Sequence, residues 1–197
     1  LDVEPNLSVG IGTSTAVSII YNSEINNILI NPIGFNSTGI NSTTNEITIN
    51  DHELKTGDKV FYENGPLSEV EYFVYKVNKN KIKLCETYFD SQQIPPSVVS
   101  FASTGGSNQN LALINPRLDV IKNNNLVFDL SDTSLADYKL KLYTDSQFKN
   151  QFVSTGSTTS FSLSEIGTVG LGTTATLTLE YSSTIPEELY YNLEKNG

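Results

Sequence analysis

The chain holds one histidine and one cysteine, and those two counts decide first which chemistry is open to it. His52 stands in Asp51-His52-Glu53. A nucleophilic triad needs a histidine with a positioned partner, and a zinc site needs further His or Cys ligands. Cys85 is the only companion on offer, in another strand segment, so His52 reads as structural or solvent-exposed and Cys85 as an inert small hydrophobe. Gly170-Leu171-Gly172-Thr173-Thr174-Ala175 matches the G-x-G-x-x-A dinucleotide fingerprint letter for letter. That fingerprint works by bringing a pyrophosphate to a helix N-terminus. Here the following residues, Thr176 to Tyr181, alternate as a strand does, so the glycines read as a turn.

Three further groups could carry chemistry. Asp129, Asp132, Asp137 and Asp145 could form an oxygen cage for calcium with backbone carbonyls. Their spacing lacks the D-x-[DN]-x-[DN]-G order of an EF-hand loop, and they read as solvated loop residues. Glu187 and Glu188 are adjacent, and adjacent residues on a strand point to opposite faces, so they cannot flank one glycosidic bond. Tyr62, Tyr72, Tyr75, Tyr88, Tyr138, Tyr143, Tyr181, Tyr190 and Tyr191 fall in or beside strand patterns. Exposed tyrosines can stack on sugars or dock a protein neighbour, and the rest pack in the core. No catalytic, cofactor-binding or metal-binding residue is assigned, and no cofactor; the reading is of a non-enzyme.

The elements that would position these residues are strands, because nearly every legible segment alternates with period two. Leu177, Leu179 and Tyr181 share one face, and Phe161-Ser162-Leu163 and Leu118-Asp119-Val120 behave likewise. The clearest hairpin joins Glu71 to Val77 with Lys81 to Glu86 through Asn78-Lys79-Asn80, since Asn tolerates the left-handed angles of a tight reversal. Gly57-Asp58 turns the chain into a strand at Lys59 to Tyr62, and further strands are expected at 97–101 and 110–114. After Asn115-Pro116, where proline interrupts any ladder, strands are expected at 117–121, 126–130, 138–144, 160–163, 173–181 and 188–193. One short helical turn is expected near Asp145 to Asn150.

A long-range echo organises these pieces. Ser8 to Leu29 recurs without a gap at Thr168 to Leu189, with Val9/Val169, Gly10/Gly170, Gly12/Gly172, Thr13/Thr173, Tyr21/Tyr181 and Leu29/Leu189 identical. Such a period exceeds that of solenoid repeats, so each unit should be one or two whole domains of a tandem array. The expected fold class is all-β: a compact β-barrel or sheet unit followed by an immunoglobulin-like β-sandwich. Residues 1–35 are expected to be the closing strands of a preceding sandwich repeat plus linker, 36–114 a small all-β domain, and 115–197 the sandwich. The Ser/Thr/Asn/Gly run from Asn36 to Asn45 is the expected linker.

About a third of the 197 residues are Ser, Thr or Asn, and there is no Met. A start in mid-pattern without Met is expected of a piece of a longer polypeptide. The net charge of −10 repels nucleic-acid backbones and anionic membranes, so neither is expected as a partner. No apolar run approaches the length of a membrane-spanning helix, and no signal-peptide pattern is present. With a single Cys there is no disulfide framework. Asn6, Asn36 and Asn41 open glycosylation sequons of the kind that so Asn/Ser/Thr-rich a chain produces by chance.

Ile185 to Lys195, the Val-Gly-Ile/Leu-Gly-Thr turn at both ends, and the series Asp51 to Val60, Tyr72 to Val77 and Lys81 to Leu84 resemble the large repetitive virion structural proteins of tailed marine phages, cyanophages especially. The His-x-Leu-x-Thr-Gly-Asp unit also resembles modules of long bacterial surface adhesins. The resemblance implies a place in an assembled particle (baseplate, tail, fibre or capsid decoration, on the exterior or tail of the virion) with other virion proteins or copies of itself as partners. It carries over no catalytic residue. The alternative of a different class is a carbohydrate or host-receptor binding module of a fibre or adhesin, using tyrosines and acidic loops on a host surface glycan.

Overall fold

The computed structural model describes residues 14–67, 69–118, 124–152, 163–180 and 188–196. The protein is all-β, as its alternation requires. Its chain divides into two compact units, Leu1–Ile30 with Asn115–Gly197, and Asn31–Ile114. The second is therefore an insertion in the first. The chain leaves at Asn31 and returns at Asn115, and both have positive φ, 48° and 41°.

The first unit begins with β1 (Ser14–Asn22) and the start of β2 (Asn27–Phe35), an antiparallel hairpin. Its turn forms because Asn22 Oδ1 accepts the amides of Glu24 and Ile25, at 3.0 and 3.2 Å, while Asn26 takes a left-handed φ of 51°. On the chain's return, Asn115 is bonded to Ile28 in both directions, N–H to Ile28 O at 3.0 Å and Oδ1 from Ile28 N–H at 3.1 Å.

The rest of this unit is β9 (Asn125–Asp129), β10 (Tyr138–Tyr143), β11 (Leu163–Ile166), β12 (Thr176–Glu180) and β13 (Tyr190–Lys195). One sheet runs β11-β12-β9-β1-β2 and a second pairs β10 with β13. The pairings of β9 to β13 are those of strands B to F of an immunoglobulin sandwich, E beside both B and D, C beside F. β1 takes the place of strand A but runs parallel to β9, a pairing that needs a long crossover and here has the whole inserted unit as one. Val17, Ile19, Leu126, Phe128, Leu177 and Leu179 are buried along one sheet, Leu140, Leu142 and Tyr191 along the other. Phe128 meets Tyr191 between them at a ring separation of 6.5 Å.

The N-terminal segment, expected to close a preceding repeat, thus lies in the same sheet as its own echo. Val17 and Leu177 are equivalent positions of the repeat, and both pair with Phe128, one on each side of β9.

The inserted unit carries β3 (Ile40–Asn41), β4 (Glu46–Thr48), β5 (Lys59–Glu63), β6 (Glu71–Asn78), β7 (Lys81–Cys85), a short helix α1 (Tyr88–Gln92) and β8 (Gln109–Ile114). With the end of β2 its strands run in the order β2-β8-β5-β6-β7-β4-β3. Val60, Tyr62, Tyr72, Val74, Ile82, Leu84 and Leu111 alternate inward and are buried. The hairpin at Asn78-Lys79-Asn80 forms as expected, with Asn80 N–H on Asn78 Oδ1 at 2.8 Å.

Several expected elements differ. The run from Asn36 to Asn45 is not a bare linker: it holds β3 and the turn to β4, closed by Asn41 Oδ1 on the amides of Thr43 and Thr44. Residues 97–101 form no strand; Pro95 and Pro96 lack donors, and a single ladder-like bond, Val99 N–H to Leu84 O, is made. Arg117 and Leu118 are not in a strand, and 119–121 of that expected element lie outside the described residues, as do 160–162 and Tyr181. No helix forms at Asp145 to Asn150, because the Asp145 carboxylate takes the amides of Gln147, Lys149 and Asn150. The helix that does form, α1, starts where Thr87 Oγ1 accepts the amide of Asp90 at 3.1 Å.

Candidate functional site

His52 lies in the turn between β4 and β5. Asp51 and Glu53 on either side have φ of 48° and 54°, which swings the ring inward to 4% exposure. Its Nε2 lies 2.9 Å from Asn78 O and its Nδ1 3.0 Å from Leu54 N. A carbonyl can only accept and an amide can only donate, so the proton sits on Nε2 and Nδ1 accepts. Both nitrogens are thereby committed to the backbone, and the ring ties this turn to the tip of the β6–β7 hairpin. The bonds Ile49 N–H to Asn80 O and Asp51 N–H to Asn80 Oδ1 run beside it. His52 is a structural residue.

Cys85 is fully buried at the end of β7, and burial pushes its thiol up to about 11. It has neither the exposure nor the thiolate character of a nucleophile. Asp58, next to the Gly57 turn, is a half-buried carboxylate that accepts Lys55 N–H at 2.7 Å. Burial raises its pKa, against the pull of that amide and of the Lys55, Lys76 and His52 side chains. It closes the turn into β5.

The glycine fingerprint is settled by where its amides point. Gly170 N–H donates to Leu130 O at 3.0 Å and Gly172 N–H to Ser131 O at 2.8 Å, so neither is free to cradle a phosphate. Gly170 has φ of 75°, and a Cβ there would lie 2.2 Å from Ala136 N. The residue is glycine because the 130–136 loop crosses directly against it. β12 follows, where a dinucleotide site requires a helix.

The four aspartates are each occupied locally or remain on the surface. Asp129 Oδ1 accepts Ser131 N–H, and Asp132 Oδ1 accepts Ser134 N–H. The Asn150 amide, with those of Lys149 and Gln147, holds the Asp145 carboxyl below the usual carboxylate range. Among the described residues no group of three His, Cys, Asp or Glu is placed to hold a metal ion. Glu187 lies outside the described residues, while Glu188 accepts the Tyr190 hydroxyl at 3.1 Å.

The tyrosines divide sharply. Tyr62 is buried against Gln109, whose side-chain amide in turn donates to Thr104 O and Gly106 O. Tyr191 is buried with its hydroxyl on Pro116 O at 2.6 Å. The one near-parallel ring pair among the described residues, Phe35 with Tyr62 at 20°, includes that buried Tyr62 and offers no two-ring platform to a sugar.

What the alternation signal did not reveal is an apolar loop on the inserted unit. Tyr88 is 56% exposed, Phe89 71% and Ile94 94%. Tyr88 leans edge-on against Phe73, with ring centroids 6.2 Å apart, and over Gly57. The Thr87 cap and the Ser91 hydroxyl on Tyr88 O hold the one-turn helix in shape. Glu86 precedes it and Asp90 lies within it, and no Lys or Arg occurs from 84 to 116. Three apolar side chains within seven residues have no periodicity for a sequence pattern to detect. No helix among the described residues is long and apolar enough to cross a membrane. No family model, curated protein or solved structure matches this chain.

Proposed function

We propose that this chain is a non-enzymatic structural module of a tailed-phage particle, in its baseplate, tail, fibre or capsid decoration, and that it acts by assembly with neighbouring virion proteins or further copies of itself. The observation that carries the reading is the Tyr88-Phe89-Ile94 loop, an apolar surface fixed in place by a cap and a packed ring. Ordered apolar side chains held out in water are costly, and they mark protein interfaces. The resemblance to repetitive virion proteins supplies the setting, and the inserted arrangement of two β units supplies a scaffold for the loop.

The test replaces Phe89 and Ile94 together with Ser in particles that carry the chain. Both side chains face solvent, so the fold is expected to melt at an unchanged temperature while incorporation falls at least tenfold. Unchanged incorporation removes the interface. Glycan-array binding by the purified chain that disappears on Tyr88→Ala would favour the receptor-binding alternative instead.

A further inference from the structure

Tyr21 near the end of β1 and Tyr138 at the start of β10 belong to different sheets of one unit. Their ring centroids are 4.4 Å apart with an interplanar angle of 43°, nearer than any other aromatic pair among the described residues. The Tyr21 hydroxyl donates to Asn26 Oδ1 at 2.7 Å, and the Tyr138 phenol beside it raises the Tyr21 pKa above that of an ordinary phenol. The Tyr21 backbone amide is fixed in turn by Ser134 Oγ at 2.9 Å. Both rings are partly exposed, so a small oxidant reaches them. A centroid separation of 4.4 Å places the two phenol rings in van der Waals contact.

We propose that Tyr21 and Tyr138 are a site of oxidative cross-linking, joined by a carbon–carbon bond between their ortho carbons as an intrachain dityrosine. The co-reactant is hydrogen peroxide used through a haem peroxidase. Each phenol gives up one electron and its hydroxyl proton, and the two radicals combine ortho to ortho. The hydrogen on each newly bonded carbon then moves to the adjacent oxygen and restores the phenol. The two electrons and two protons released reduce one peroxide to two waters. The bond staples the two sheets across a long stretch of sequence, which a chain with one cysteine cannot do by an internal disulfide. The ring approach favours this pair over the other tyrosines, and the inference stands whatever neighbours the chain assembles with.

The experiment treats the full chain, dilute enough to suppress chain-to-chain coupling, with a haem peroxidase and hydrogen peroxide, and digests the monomer after Lys and Arg. Tyr21 is the only tyrosine of the fragment 1–55 and Tyr138 the only one of 123–139, so a linked pair of these two fragments is unambiguous. We expect that pair to dominate, with dityrosine fluorescence of the monomer falling at least tenfold in both Tyr21→Phe and Tyr138→Phe. The cross-linked chain is expected to melt at a higher temperature than the untreated one. Absence of monomer dityrosine, a cross-link confined to other tyrosines, or full emission in Tyr21→Phe would overturn the proposal. The mapping of the unmodified chain stands even if one variant folds poorly.

Discussion

Replacing Gly170 with Ala separates a packing turn from a ligand cradle, and the structure sets the size of the effect. At φ of 75° an alanine pays about 1–2 kcal/mol for the left-handed conformation. Its Cβ would also meet Ala136 N at 2.2 Å and Ala136 Cα at 2.3 Å. Those are backbone atoms, so the 130–136 loop must move. That displacement endangers the bonds from Gly170 to Leu130 and from Gly172 to Ser131, each worth about 1 kcal/mol, for a total loss of about 3–4 kcal/mol. Gly172 is the internal control: its φ is 68°, but the nearest atom to an added Cβ is Thr133 Cγ2 at 3.8 Å. Gly172→Ala should cost only the conformational part, about 1–2 kcal/mol, and Gly172→Asn less, since Asn accepts this region. Gly170→Asn should remain as damaging as Gly170→Ala, because the overlap is untouched. Urea unfolding followed by tyrosine fluorescence, with amide exchange assigning the transition to the first unit, reads the difference. With a slope of about 1.5 kcal/mol per molar, the midpoint falls by about 2–3 M for Gly170→Ala and by about 1 M for Gly172→Ala. Equal losses at the two positions would refute the close approach to Ala136.

Three other perturbations probe residues placed in structural roles. His52→Ala removes the ring's bonds to Asn78 O and to Leu54 N–H, the latter keeping its bond to the residue-52 carbonyl, and should destabilise the inserted unit by about 1–3 kcal/mol; nitrogen NMR of the unaltered chain should show the proton on Nε2. Cys85, buried and titrating at about 11, should react with a thiol reagent at pH 8 only as fast as the inserted unit unfolds; rapid labelling of the native chain would contradict its burial. Asp145 is held below its ordinary range by backbone amides, so its folded-state proton affinity is depressed. The stability it lends its turn is present above the usual carboxylate pKa and lost as pH falls through the lowered folded value, and the Lys149 and Asn150 amides should become exchangeable there first. Asp145→Asn should weaken the turn at neutral pH and remove most of that pH response.

The strands legible in the sequence were those whose alternation is enforced by a buried face. Leu177 and Leu179, Leu126 and Phe128, Val74 and Ile82 all alternate with residues less buried than themselves. Where side chains override the backbone, the pattern misled. A helical turn is expected from Asp145, but one carboxylate collects three amides and the chain turns at Phe148, φ 56°. The segment from Thr87 has no apolar stripe, yet a threonine cap suffices to start one turn of helix over Phe73. The glycine fingerprint reads as a turn and forms one, but the reason for Gly170 is a neighbour brought in from the 130–136 loop. No local pattern could show that contact, nor the approach of Tyr138 to Tyr21.

Asparagine abundance gains a physical explanation from the same comparison. Of the nine non-glycine residues with positive φ among the described residues, six are Asn: Asn26, Asn31, Asn45, Asn64, Asn108 and Asn115. Asn is among the few residues that take this region at low cost, because its short amide can bond locally. Asn31 and Asn115 occupy the two points where the chain passes between units, so asparagines are built into the insertion itself. The long-range echo has a similarly local cause. Val17 and Leu177 face the same residue, Phe128, from opposite edges of β9, so both copies of the motif must supply an aliphatic side chain in phase with one aromatic ring. A repeat that looks like the mark of successive domains is, in this chain, also the requirement of two strands that share a neighbour. The strand between them fixes both phases, because a slip of one residue on either side would turn that aliphatic face to the other side of the sheet.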